Sequence, residues 1–383
     1  MTVAARVEFA RDPVAYRHAF RRYLRDLDVV ERWRSAHFAC ASSLFEHDAE
    51  RMRRLYADGW NRYGWPEWAG GFGGAQEHRM AYFDELTHAR VPQPLQHRSL
   101  ERFIPALIEY APDLAAVYLP RHLRGSEWWS TNAASWPACA TSVVSGDGQS
   151  VRPGTQTWSD VGPDPTQLMV LASTDHPAGS GVNTMHLVQA GAHGCLIRRP
   201  AARNHSDIVE ITIDYLHVSG SRVIGGAGAG LVVAQQIADG PRGLRCYAEL
   251  SRLLFDLGLL REAMAAHGSS QAQRQRFAQV YVDVLSAQAL SCATIRAEIK
   301  GQQAPCDVDA ERVLLRRVRL RVSDLILDVG RTRIVRGTTA GGDSLAAARA
   351  EWWYAHTADS AHAPHRRRDV PIDDQEAAKV TVS

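Results

Sequence analysis

At 383 residues the chain is longer than a single hydrophobic core usually organises, so one small module is excluded and two or three packed sub-structures are expected. Its 45% apolar, 22% charged and 8% aromatic residues are the make-up of an ordinary globular protein, which excludes global disorder. The net charge is +2: arginines supply all 44 basic residues except Lys300 and Lys379, and 42 carboxylates balance them, so no nucleic-acid footprint is indicated.

In chain order, residues 1–126 read as an N-terminal helical domain. Met80, Phe83 and Leu86 recur at three-residue steps, and FIPALIEYAPDLAAVYLPRHLRG gives two amphipathic pieces broken at Pro112. The turn-rich GWPEWAGGFGG (64–74) lies between helical stretches. Residues 127–232 change to short β-prone runs: QLMVLAS (167–173), NTMHLVQ (183–189) and DIVEITIDYLHV (207–218). In the last, Val209, Ile211 and Ile213 alternate with Glu210, Thr212 and Asp214, the period of a half-buried strand. Residues 233–360 return to long helices with three apolar stripes. These are Leu250, Leu254, Leu257, Leu260 and Met264; Phe277, Tyr281, Val284 and Ala287; and Leu314, Val318, Val322, Leu325 and Val329, with a helix end expected at Gly330. Such stripes call for a helical bundle. Residues 361–383 carry little apolar content and read as a tail, with the basic run HRRRD on a solvated surface. Helices, a β domain and helices again, without βαβ alternation, make an α+β organisation.

Few motifs announce chemistry. VIGGAGAGLVVA (223–234) superficially fits G-x-G-x-x-G, but the buried parallel strand before it and the acidic residue about 20 positions on are missing, so a loop leading into a helix is expected. His362 and His365 are spaced like metal ligands, yet no third ligand is near and a Pro separates them, so no metal is expected. Cys40, Cys139, Cys195, Cys246, Cys292 and Cys306 form no C-x-x-C pair and read as reduced structural thiols. No run approaches the roughly 18 apolar residues of a membrane span, and Arg6 and Arg11 stand where a secretory signal needs an apolar run. A cytoplasmic protein with neither membrane nor nucleic-acid partner is the expectation.

Five segments go further. They are GWPEWAGGFGG with the following FDELTHARVPQP, YLPRHLRGSEWW (118–129), GTQTWSDVGPDPTQLMVLAST (154–174), VEITIDYLHVSGSRVIGGAGAGLVVA (209–234) and SSQAQRQRFAQVYVDV (269–284). Their order and content resemble the acyl-CoA dehydrogenase superfamily, in its FadE-like actinobacterial branch. The first is similar to the family's W-P-x-x-x-G-G-x-G-G turn, the second to Y-L-P-x-x-x-x-G-E-x-x-W, and the third to G-Q-K-T-W-T-S-G-A-x-x-A-D-W-I-F-V-L-A-R. The resemblance runs from about residue 50 to 330. It implies the acyl-CoA dehydrogenase fold: an N-terminal helical domain, a middle β-barrel-like domain and a C-terminal four-helix bundle. It also implies FAD as cofactor, an acyl-CoA or acyl-carrier thioester as substrate, and an FAD site completed by a second chain, either another copy or a paralogous dehydrogenase. Trp158 and Ser159 fall on positions that line the flavin ring, and Arg274 and Phe277 on the R-x-x-F that grips the neighbour's pyrophosphate. A planar guanidinium suits that task because it pairs two phosphate oxygens at once.

Departures from the family pattern bear on function. Where the family has Q-G-F-S-E-P-G-A-G-S-D, this chain has TNAASWPACAT (131–141), which implies a weaker hold on FAD. The family's base glutamate sits at one of two positions. The first, directly before an arginine, is Pro241 before Arg242 here, which leaves Arg242 as a substrate-binding candidate. The second, seven residues before a helix arginine, is Asp359 when counted back from Arg366. Asp359 is thus the carboxylate at a family base position. The implied activity is α,β-desaturation of an acyl thioester in lipid or steroid metabolism. The alternatives are a non-catalytic subunit of a hetero-oligomeric acyl-CoA dehydrogenase and a diverged flavin oxidase or redox-neutral enzyme of secondary metabolism.

Overall fold

The computed structural model describes residues 3–35, 41–131, 143–144, 150–151, 154–159, 164–174, 182–192, 195–198, 208–213, 216–217, 220–239, 242–306 and 308–335. Seven helices come first: α1 (Val3–Arg11), α2 (Pro13–Asp26), α3 (Val30–Ser35), α4 (Ala41–Asp58), α5 (Gln76–His88), α6 (Gln96–Tyr110) and α7 (Pro112–Leu123). The Asp12 carboxylate accepts from the Val14 and Ala15 amides at 2.8 and 3.0 Å, and Pro13 opens α2 where its missing N–H costs nothing. Pro112 divides α6 from α7 as expected, standing at the first position of the second helix. Between α4 and α5 the glycine-rich segment makes a tight loop, closed by pairing of Trp65 with Gly73. Gly70 sits at φ +93°, and a Cβ on Gly71 would collide with the Trp65 carbonyl.

The strands are β1 (Trp129–Thr131), β2 (Val143–Val144), β3 (Ser150–Val151), β4 (Gly154–Ser159), β5 (Gln167–Thr174), β6 (Val182–Gln189), β7 (Cys195–Arg198), β8 (Ile208–Ile213), β9 (Leu216–His217) and β10 (Val223–Ile224). A seven-stranded sheet runs β10-β6-β5-β2-β3-β9 with β1 also on β5; a three-stranded sheet runs β4-β8-β7. β5 and β6 pair antiparallel from Gln167↔Gln189 to Thr174↔Val182, while β1 and β2 both lie parallel to β5. Met169, Leu171, Met185 and Leu187 face a core with α6, α7 and α8 (Gly230–Asp239). Leu168, Val170, Ala172 and Val188 face the small sheet through Ile211. Burial on both faces explains why QLMVLAS is a continuous apolar run instead of an alternating one.

After α8 come α9 (Arg242–His267), α10 (Gln271–Ile299) and α11 (Val308–Val335). They enclose an aliphatic core of Leu250, Leu253, Leu257, Leu260, Val280, Val284, Val318, Val322 and Leu325, with Phe277 and Tyr281 packed at its margin. One expectation is corrected here. Gly330 does not end the third helix, because α11 continues to Val335. A glycine inside a helix costs about 1 kcal/mol against alanine, and the packing of Leu325, Leu327 and Val329 on that helix offsets it. Among the described residues no helix is long and apolar enough to cross a membrane.

Candidate functional site

Glu127, the glutamate of the GSEWW segment, is fully buried and ties the sheet to the helices. Its Oε2 accepts from the Trp129 indole at 2.8 Å and the Thr166 hydroxyl at 2.6 Å, and its Oε1 lies 2.7 Å from Arg121 Nε at the end of α7. The Trp129 amide donates to Ser99 Oγ, which meets His122 Nε2 at 3.2 Å, while His122 Nδ1 donates to the Tyr118 carbonyl. These bonds hold β1 in register, Thr131 opposite Met169. β2 follows on the same strand with Val143 opposite Ser173. The divergent segment TNAASWPACAT starts at Thr131 and is bracketed by these two anchors; from residue 132 to 142 it lies outside the described residues. Trp158 and Ser159 are the last two residues of β4, paired with Val209 and Ile208 of β8. That pairing sets their place in the small sheet.

The second group of site residues stands at the start of α10. Ser270 caps the helix, its Oγ accepting from the Gln273 amide at 3.1 Å while Gln273 Oε1 accepts from the Ser270 amide at 3.0 Å. Arg274 is exposed on the first turn and its NH1 donates to the Ser269 carbonyl at 2.6 Å. Its other N–H groups have no partner among the described residues. Phe277, one turn on, stacks on Tyr281 with ring centroids 5.9 Å apart. A guanidinium with free N–H groups at a helix N-terminus is the donor set that a diphosphate needs, so this end of α10 fits the pyrophosphate of a dinucleotide. The structure brings Arg274 and Phe277 together on one helix end and puts Trp158 and Ser159 on a separate sheet. Arg242 is the first residue of α9, its side chain outside the described residues. Asp359, His362, His365 and HRRRD also lie outside them.

No motif or periodicity announces the buried charges between α4, α5 and α6. Arg79 pairs with Glu101, and its guanidinium lies 3.7 Å from the centre of the Trp65 ring. Arg51 pairs with Asp48, which also accepts from the Leu95 amide at 2.9 Å. His97 stands between them, its Nε2 3.3 Å from the Tyr82 hydroxyl. Burial pushes Arg79 down to about 9, and burial with Arg51 and Arg79 nearby pushes His97 down to about 3. Asn61, Trp65, Arg79, His97 and Glu101 surround a cavity with room for water but not for an organic substrate. The partners of these ion pairs are remote in sequence or masked by helical spacing, so only the folded chain reveals them.

No family model matches the chain. It is 25% identical over 283 residues to the acyl-CoA dehydrogenase IpdE1 of Mycolicibacterium smegmatis, covering 67% of this chain and 72% of that one. Among solved structures it resembles the Tcur3481-Tcur3483 steroid ACAD, with a TM-score of 0.69, 19% identity, and 91% of this chain and 93% of that chain covered. It also resembles the ChsE4-ChsE5 complex from Mycobacterium tuberculosis, with a TM-score of 0.63, 20% identity, and 94% and 96% of the two chains covered.

Proposed function

From the membership of this chain in the acyl-CoA dehydrogenase superfamily, we propose that it is an FAD-dependent, acyl-CoA dehydrogenase-like flavoprotein acting in the α,β-desaturation of an acyl-CoA or acyl-carrier thioester. The observation that carries the reading is the exposed guanidinium of Arg274 on the capped first turn of α10, where one of its N–H groups donates to the Ser269 carbonyl. There it would pair the pyrophosphate oxygens of an FAD bound mainly by a second chain, with Phe277 packed behind it. Trp158 and Ser159, at the end of β4, would line the flavin ring, and Arg242 would contact the substrate. FAD, when bound, supplies the acceptor for the hydride that leaves the β-carbon. Asp359 takes the pro-R α-proton, the remaining electron pair forming the double bond. An α-carbon next to a thioester is a weak acid, so this step also needs a hydrogen bond to the thioester carbonyl.

A second reading is favoured by two observations: Pro241 occupies the position of one family base, and a two-chain complex is among the similar structures. In that reading the chain is the non-catalytic subunit of a hetero-oligomeric dehydrogenase, and Arg274 serves its partner's FAD. The visible spectrum of the purified protein, alone and co-expressed with a paralogous dehydrogenase chain, tests the common premise. Flavin absent from both preparations sinks both readings. With flavin present, Asp359→Asn should slow its reduction by thioester at least about a hundredfold. Unchanged reduction in the complex carrying Asp359→Asn selects the subunit reading.

A further inference from the structure

Five side chains from separate elements form one alternating row on the N-terminal helical region. The Arg6 guanidinium of α1 lies 4.5 Å from the centre of the Phe72 ring, and Arg62 lies 3.8 Å from the same ring. Arg62 is also 4.8 Å from the centre of the Tyr56 ring of α4, and Arg124, just past the end of α7, is 4.6 Å from it. Cation, ring, cation, ring, cation is the order. The row is fixed in place: Arg62 Nε donates to the Gly70 carbonyl at 3.0 Å, and Gly70 packs on Pro120 of α7.

Carboxylates are missing from this row. Other arginines of the N-terminal helices are paired, Arg17 with Asp84, Arg21 with Glu85, Arg54 with Asp58 and Arg121 with Glu127. Among the described residues Arg6, Arg62 and Arg124 have no ion-pair partner. Burial holds Arg62 below its ordinary value, and Arg6 and Arg124 push it in the same direction. In a chain with nearly equal numbers of acids and bases, three adjacent like charges left without counter-charges are unfavourable until something negative arrives. Trp68, 54% exposed, stands on the same loop just before Gly70. Arginine and aromatic residues are enriched in protein-binding hot spots; Glu67, on the same loop, reaches Gly73 beside Phe72.

We propose that this row is the docking surface for a protein partner that presents a line of carboxylates, with Trp68 supplying apolar contact beside it. The three guanidiniums come from separate elements, and a second protein can set one carboxylate against each of them. The inference is independent of the proposed flavin chemistry, because none of these residues belongs to the site described above.

The test uses the full chain and a fluorescein-labelled oligoglutamate peptide, followed by anisotropy at low salt. Wild type should bind, and rising salt should weaken the binding. The Arg6→Gln/Arg62→Gln/Arg124→Gln variant should bind at least about tenfold more weakly, as expected for losing three ion pairs, two of them at exposed arginines. Arg6→Gln/Arg124→Gln, which keeps the Arg62 bond to Gly70, should show an intermediate loss, so that a folding defect in the triple variant cannot pass as support. Arg261→Gln, an exposed arginine on α9, should bind like wild type. No binding by wild type, or equal binding by the triple variant, overturns the proposal. Tighter binding of tripolyphosphate or of phosphatidylserine vesicles than of the peptide, lost in the same variants, also overturns it in favour of a phosphate or membrane surface.

Discussion

Between α2 and α6 the interior is aromatic and ionic. Tyr16, Phe20, Trp60, Tyr63, Tyr82 and Phe83 pack there, with Arg51, Asp48, Arg79 and Glu101 buried beside them. Between α9 and α11 the interior is leucine and valine, with Ser291 donating to the buried Glu311 at 2.6 Å and Ser251 to the Tyr247 carbonyl at 2.9 Å. The bundle is held by apolar area, which tolerates exchange of one aliphatic residue for another. The first region depends on groups whose removal one at a time is expensive, because a buried charge without its partner is worse than no pair. One region can therefore change its sequence freely, and the other only in concert.

The largest expected effect breaks an ion pair. Glu101→Ala leaves the Arg79 guanidinium buried and unpaired and should destabilise the chain by about 3–5 kcal/mol. Arg79→Met/Glu101→Leu, which removes both charges and keeps the volume, should lose far less. Urea denaturation of both variants checks this; a single mutant no worse than the double would erase the contrast between the regions.

Acid should sharpen the same contrast. His97 and His122 are pushed down to about 3, chiefly by burial. An unfolded histidine takes up a proton near pH 6.5, so below that pH the unfolded state binds more protons and stability falls. The loss continues until the pH reaches about 3. Between pH 6.5 and 5 each histidine should cost about 2 kcal/mol. Hydrogen exchange should show α5 to α7 losing protection before α9 and α10. Equal loss in both regions would place the acid sensitivity elsewhere.

The smallest effect belongs to the bundle. Ser270→Ala removes the cap of α10 and should lower stability by about 1 kcal/mol, seen as a modest drop in melting temperature. A much larger loss would mean that the end of α10 holds more than its own first turn.

How much of this was legible in the sequence depended on the kind of signal. The stripe of Leu257 and Leu260, the strands at Gln167–Thr174 and Val182–Gln189, and the break at Pro112 all follow from local periodicity and backbone chemistry, and the structure has them there. The register on α9 and α10 is less well read: Leu253 and Val280 are buried while Leu254, Phe277 and Tyr281 sit at the margin, because a stripe in sequence does not say which neighbour will cover it. Gly330 misled because its local preference for a helix end was overruled by packing. Resemblance is what nominates Trp158, Ser159, Arg274 and Phe277 as candidates, which no propensity would single out. Neither route could find the row through Arg62, since its five members come from α1, α4, the residue after α7 and two parts of a loop and meet only in the folded chain.

Glu127 also has a consequence for the order of synthesis. α1 to α7 can emerge from the ribosome and collapse on local contacts, but the Thr166 hydroxyl and the β5 edge that hold Glu127 and Trp129 come later in the chain. Until then the carboxylate must stay in water, and the apolar face around Phe103 and Leu119 stays uncovered. Folding of this chain should therefore pause with a helical N-terminal half awaiting its sheet, and that interval is when the nascent chain is most open to aggregation or to a chaperone.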